Sequence, residues 1–176
     1  MADTTRVFDF ATLFQRPEFR EMYAQRSGAH GDLGIEIVEA IEERVSIRVP
    51  FRPELARSVI NPSMHSGVVM TAMDSGMGLA TMMNLKKPSS LATLDLRYDE
   101  LRSPLPGEFI NVTAACESID DDIAFLTSEA ADKEGVFAKS IGRFFLTGAA
   151  SDFFQNALNL LEDESCSNSS SVDGTS

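Results

Sequence analysis

The sequence predicts an α+β domain in which an antiparallel β-sheet wraps around one long central helix, with an extra helix at the N-terminus. Three observations predict it. Val68 to Met83 is an apolar helical run with a single carboxylate, Asp74. Its apolar residues point in every direction, the pattern of a helix buried all round. Runs of period-two alternation lie on both sides of it, and strands that follow strands favour an antiparallel sheet. One sheet around one helix leaves edges and a far face to be covered, which oligomerisation would do most simply.

Taken in order, Phe8 to Ser27 reads as helical, with Pro17 as a first-turn residue and Phe19, Met22 and Tyr23 on one stripe. Leu33, Ile35 and Ile37 alternate with Gly34, Glu36 and Val38. Val45, Ile47 and Val49 then alternate with Arg44, Ser46 and Arg48. The short polar link Ala40 to Glu43 makes the pair a hairpin. Pro50, Pro53, Asn61 and Pro62 punctuate a loop that leads into the apolar helix. That helix should end near Asn84, because Lys86-Lys87 suit a C-terminus and Pro88 comes soon after.

Four extended stretches come next. Leu91 to Leu101 places Ala92, Leu94, Leu96 and Tyr98 on one face and Thr93, Asp95 and Arg97 on the other. Phe109 to Ser118 places Ile110, Val112, Ala114 and Cys116 together. Ile123 to Asp132 and Val136 to Leu146 form a second hairpin, turned at Lys133-Glu134-Gly135. Asp120-Asp121-Asp122 reads as a turn, since it lacks the ligand spacing of a calcium loop. Asp152 to Leu161 is expected to form a short amphipathic helix, and the acidic, serine-rich remainder to be disordered. The organisation is a helical segment over 1–30, one domain over 31–150, and a short helix with its tail over 151–176.

Composition narrows the function. With 15 basic and 27 acidic residues the net charge is −12, which disfavours nucleic acid and anionic membrane surfaces. Cys116 and Cys166 stand far apart, so neither a disulfide framework nor a metal site is expected. The first residues carry no signal-peptide pattern and no stretch is apolar enough to span a bilayer, so the expected location is the cytoplasm. Asp74 is the conspicuous residue. An ionised carboxylate in an apolar helix is costly unless something specific stabilises it, which makes it a candidate for chemistry. The other reading is an acid hydrogen-bonded at a crevice or subunit boundary.

The order and spacing of His65-Ser66-Gly67, Asp74, Thr93-Leu94-Asp95-Leu96-Arg97-Tyr98, Pro104 and Gly107-Glu108 resemble those of the hotdog-fold thioesterases. Within them the likeness is to the PaaI-like acyl-CoA thioesterase group, and it runs from Gly34 to Gly148. Ser66 replaces the first glycine of that group's motif. Asn61 is the candidate for its amide residue, at a shorter spacing than usual.

The resemblance implies hydrolysis of an acyl-CoA thioester to free acid and CoA, with no cofactor and sites at a dimer interface. Asp74 would be general base or nucleophile, and Thr93 would hold the attacking water. The N–H of Ser66, or of Gly67, would form the oxyanion hole, for which the first turn of a helix is suited. His65 would fasten the loop to the helix start or transfer a proton. Lys86, Lys87, Arg97, Arg102, Lys139 and Arg143 are candidates for gripping CoA phosphates, and an Asp95–Arg97 surface pair is expected. Met70, Met73, Met77, Met82 and Met83 are core, or in part line an acyl pocket.

Spacing adds an independent point. Ser66 and Asp74 lie eight residues apart on one helix, about 12 Å along its axis. One thioester carbon cannot be gripped by both at contacts of about 3 Å, so the site must combine two subunits. The resemblance leaves dimer and dimer of dimers open. Two other readings remain: a hotdog hydratase or dehydratase pairing His65 with an acid, and a non-catalytic acyl-CoA-binding module.

Overall fold

A computed structural model describes residues 10–24, 28–87 and 89–148. Three short helices, α1 (Phe10–Phe14), α2 (Pro17–Ala24) and α3 (Ala29–Leu33), lead into the strands β1 (Glu36–Ala40) and β2 (Val45–Val49). A 3₁₀ turn (Pro53–Leu55) precedes the central helix α4 (Ser66–Met83). The strands β3 (Leu91–Glu100), β4 (Ile110–Asp120), β5 (Ile123–Asp132) and β6 (Gly135–Leu146) complete the domain. All six strands form one antiparallel sheet in the order β1-β2-β4-β5-β6-β3, so β3 returns to lie at an edge beyond β6.

Alternation drives the sheet as the sequence predicts. Val45, Ile47 and Val49 of β2, Ile110, Val112 and Ala114 of β4, and Ala124, Leu126 and Ala130 of β5 all face α4 and are buried. Gly76 brings helix and sheet close, since a Cβ there would sit 3.3 Å from Val112. β4 and β5 join through a two-residue turn at Asp121-Asp122, where Asp121 takes φ 50. Asx side chains tolerate that left-handed conformation.

Four expectations need correction. The N-terminal helix is divided: α1 ends at Phe14 and Pro17 starts α2, because a residue before proline is pushed out of the helical region. Leu33, read as the first residue of a strand, instead ends α3 (Ala29–Leu33), which is closed by Gly34 at φ 66. Phe10, Leu13, Phe14 and Phe19 are buried, and α2 packs on β1, so this segment covers the β1 side of the sheet. The side chains of Met22 and Tyr23, and everything predicted for 152–161 and the tail beyond, lie outside the described residues.

The third correction concerns α4, which is not buried all round. Gly67, Met70, Thr71, Asp74 and Gly78 form an open stripe, while Val69, Ala72, Met73, Ser75, Gly76 and Met77 are buried. The fourth is a β-bulge at Leu94. Thr93 pairs with Phe144 and Asp95 with Arg143, so one residue of β3 is extra. An extra residue reverses the side-chain parity of the strand beyond it. Thr93 therefore shares the helix-facing side with Leu96 and Tyr98, and Asp95 and Arg97 point to the far side of the sheet.

Candidate active site

Asp74 sits in the middle of α4 on its open stripe, half-buried, and the bulge in β3 brings Thr93 to it. The Thr93 hydroxyl donates to Asp74 Oδ1 at 2.9 Å. Burial raises the carboxyl's pKa above its ordinary value, and the Thr93 hydrogen bond opposes that shift. Among the described residues no other side chain bonds this carboxylate, so Oδ2 is available to a water or a substrate. A carboxylate so placed, with one oxygen open, suits proton transfer or nucleophilic attack.

The start of α4 is organised differently. His65 is the N-cap, with φ −66 and ψ 137, and its Nδ1 accepts the Gly67 N–H at 3.0 Å. The N–H groups of Val68 and Val69 bond the His65 carbonyl. Among the described residues this leaves Ser66 N–H as the first-turn donor without a bonded acceptor. The ring lone pair that a histidine base would use is the one on Nδ1, and the Gly67 N–H occupies it. The Gly67 N–H is likewise occupied.

Asn61 folds the loop ahead of the cap. Its Oδ1 accepts from the Ser63 hydroxyl at 3.1 Å, and its N–H donates to Ser58 Oγ at 3.0 Å. The loop base is latched to the end of β3: Arg57 bonds both oxygens of Glu100, at 2.5 and 2.6 Å, and Tyr98 Oη donates to Glu100 at 3.0 Å. Burial, and then the Glu100 carboxylate, raise the Tyr98 pKa. This latch joins residues 43 apart, and no periodicity or spacing in the sequence marks it.

The expected phosphate-gripping cations do not converge. Arg97 pairs with Asp99, and Arg143 with Asp95, on the far side of the sheet from Asp74. The expected Asp95–Arg97 pair is thus replaced, because Arg143 lies directly across from Asp95 in the register. Lys139 pairs with Glu129, and Arg102 with Asp132. Lys86 and Lys87 flank the C-terminal end of α4, where they line a hollow of about 480 Å³ with Leu85, Ile119 and Leu146. That end lies about 27 Å from the start of the helix. Met73 and Met77 are fully buried and Met82 and Met83 nearly so, whereas Met70 is exposed on the open stripe.

No family model matches the sequence. The chain is 29% identical over 93 residues to a protein of Halobacterium salinarum described provisionally as an esterase. The match covers 51% of this chain and 61% of that protein, so the chain spans about three fifths of the length of the curated relative it matches. Among solved structures, the Escherichia coli PaaI protein of the phenylacetic acid degradation operon superposes with a TM-score of 0.66 at 16% identity, over 78% of this chain and 95% of that one. A Haemophilus influenzae thioesterase gives 0.63 at 18% identity, over 70% and 85%. A Streptococcus mutans protein bound to acetyl-CoA gives 0.59 at 16%, over 66% and 91%. Six antiparallel strands wrapped on one helix, and these superpositions, give the chain the hotdog fold that it shares with PaaI and the Haemophilus influenzae thioesterase.

Proposed function

We propose that the protein is an acyl-CoA thioesterase whose sites form between two copies of the chain. The observation that carries it is the half-buried Asp74 carboxyl, raised in pKa and held by Thr93, beside a sheet edge that is unpaired among the described residues. A ten-residue edge strand with unpaired backbone groups is a template for a second strand. Two copies related by a two-fold axis through such an edge pair antiparallel. Pairing about the midpoint of β3 sets Tyr98 and Glu100 near the partner's Thr93 and Leu91. Arg57 ties the loop before α4 to Glu100, so the helix start of one copy approaches the partner's Asp74. The 12 Å that separates Ser66 from its own Asp74 is thereby bridged.

In this reading the Ser66 N–H receives the thioester oxygen. The partner's Asp74 takes a proton from a water held by Thr93, and the hydroxide adds to the carbonyl carbon. The C–S bond then breaks, and the CoA thiolate leaves to take up a proton. Direct attack by Asp74 Oδ2 would instead give an anhydride that water opens. The acetyl-CoA-bound and thioesterase neighbours, and the esterase-like relative, support the choice of substrate. The capping role of His65 disfavours a hydratase, which needs a histidine base.

Thiol release from a panel of acyl-CoAs tests this reading, with wild type beside Asp74→Asn and Asp74→Ala. Turnover by wild type and a loss of at least about 10²-fold in both variants, with the dimer intact, is expected. Binding of acyl-CoA by wild type without thiol release would replace it with the binding-module reading.

A further inference from the structure

Val59 and Ile60 are 98% and 97% exposed, the most exposed large apolar side chains among the described residues. Two adjacent aliphatic residues held wholly in water at a loop tip give up hydrophobic stabilisation that burial would return. The loop is not a loose excursion. Its base closes through the Ala56–Met64 bridge and the Arg57 N–H to Ser63 carbonyl bond at 2.8 Å. Its interior is folded by Ser58, Asn61 and Ser63, and Gly107 N–H bonds the Pro62 carbonyl at 3.2 Å. The tip is a shaped apolar projection on a braced stalk.

Its base is held by the latch. Arg57 fixes the loop to Glu100 at the end of β3, and the chain runs from the tip through His65 directly into the Ser66 N–H. On the dimer reading above, on which this inference rests, the end of β3 adjoins the partner's Leu91–Thr93 segment. The tip then stands over the partner's Asp74 from the same side as the oxyanion donor. Ser58, Asn61 and Ser63 bond one another within the loop, and the side chains of Val59 and Ile60 offer a ligand apolar surface.

We infer that Val59 and Ile60 form the apolar wall of the acyl subsite in the partner's active site, and select an uncharged apolar acyl chain over a short one. Met70, between Ser66 and Asp74 in the chain, is a further exposed apolar side chain on the open stripe of α4.

Val59→Ser/Ile60→Ser is the test, because both positions are solvent-exposed and the latch is untouched. Wild type should prefer hexanoyl-CoA to acetyl-CoA. The double variant should lose about tenfold in kcat/KM for hexanoyl-CoA and change within about twofold for acetyl-CoA. No preference in wild type, equal losses on both substrates, or no loss on either would overturn the inference. So would unchanged selectivity with a weakened dimer, which would mean that the tip packs on protein. If wild type hydrolyses neither substrate, the reaction reading fails and calorimetric binding of the same two compounds decides. A hexanoyl preference lost in the double variant would support the wall, and its retention would overturn it.

Discussion

Two buried-side carboxylates, Asp74 and Asp132, have opposite surroundings. Asp132, at the end of β5, has a fully buried side chain and meets the Arg102 guanidinium through two bonds of 2.6 and 2.7 Å. It also accepts the N–H groups of Leu105 and Glu134 at 3.0 and 2.9 Å. Hydrogen bonding to Arg102 is the main reason its pKa falls to about 2. Among the described residues Asp74 has one hydroxyl donor and no cation, and burial moves it the other way. An acid surrounded by donors holds a turn together. One that is half-buried with a single donor costs the fold something and is available for chemistry.

Exchanging each acid for its amide should separate these roles. Asp74→Asn is expected to abolish most thiol release while its melting temperature at pH 7 stays at or above that of wild type, since it removes the ionisation cost. Circular dichroism melts beside the activity assay would show it; a large drop in melting temperature would place Asp74 with the structural acids. Asp132→Asn should instead cost on the order of 3 kcal/mol by denaturant unfolding, because a buried charge-assisted network is broken. The folded fraction should keep its specific activity within about twofold, as expected for separated sites.

A smaller effect is expected at Thr93. Thr93→Val removes the donor and keeps the shape, so kcat should fall by about tenfold, within the range for one positioning hydrogen bond. The acid limb of the pH–rate profile should also move upward, because the bond that lowers the Asp74 pKa is gone. Loss of activity without that displacement would assign Thr93 a packing role.

The smallest effect is in stability against pH, where the two acids have opposite signs. The folded pKa of Asp132 lies below its unfolded value, so its contribution is full above about pH 4 and is lost as pH falls towards about 2. The folded pKa of Asp74 lies above its unfolded value, so its cost is absent below about pH 4 and grows as pH rises through the folded value. The advantage of Asp74→Asn over wild type should therefore be present at pH 7 and vanish near pH 3. An advantage independent of pH would rule out relief of a buried charge.

Much of this was legible in the sequence. Period-two alternation in β2, β4, β5 and β6 reports a sheet with one buried face, and Lys86-Lys87 with Pro88 mark where α4 stops. Asp74 stands out as the one charge in an apolar helix. The partnership of Asp95 was not legible, because Asp95–Arg143 spans 48 residues and depends on strand register. Nor was the bulge at Leu94: a leucine fits either parity, and no glycine marks the extra residue. The Thr93–Asp74 bond depends on that bulge, since alternation alone would have pointed Thr93 away from the helix. Thr93 was reachable through the family resemblance and not through the pattern of β3.

The central claim is that one site takes Ser66 from one copy and Asp74 from the other, and subunit mixing tests it most directly. Ser66→Pro deletes the donor N–H at a position where proline is tolerated, and the extended backbone of His65 suits a following proline. Each of Ser66→Pro and Asp74→Asn should be inactive alone. After co-expression or refolding together, about half of the dimers are mixed, and each holds one site with both groups intact. The account predicts recovery of about a quarter of wild-type thiol release. No recovery, with mixed dimers demonstrated by mass spectrometry, would contradict it.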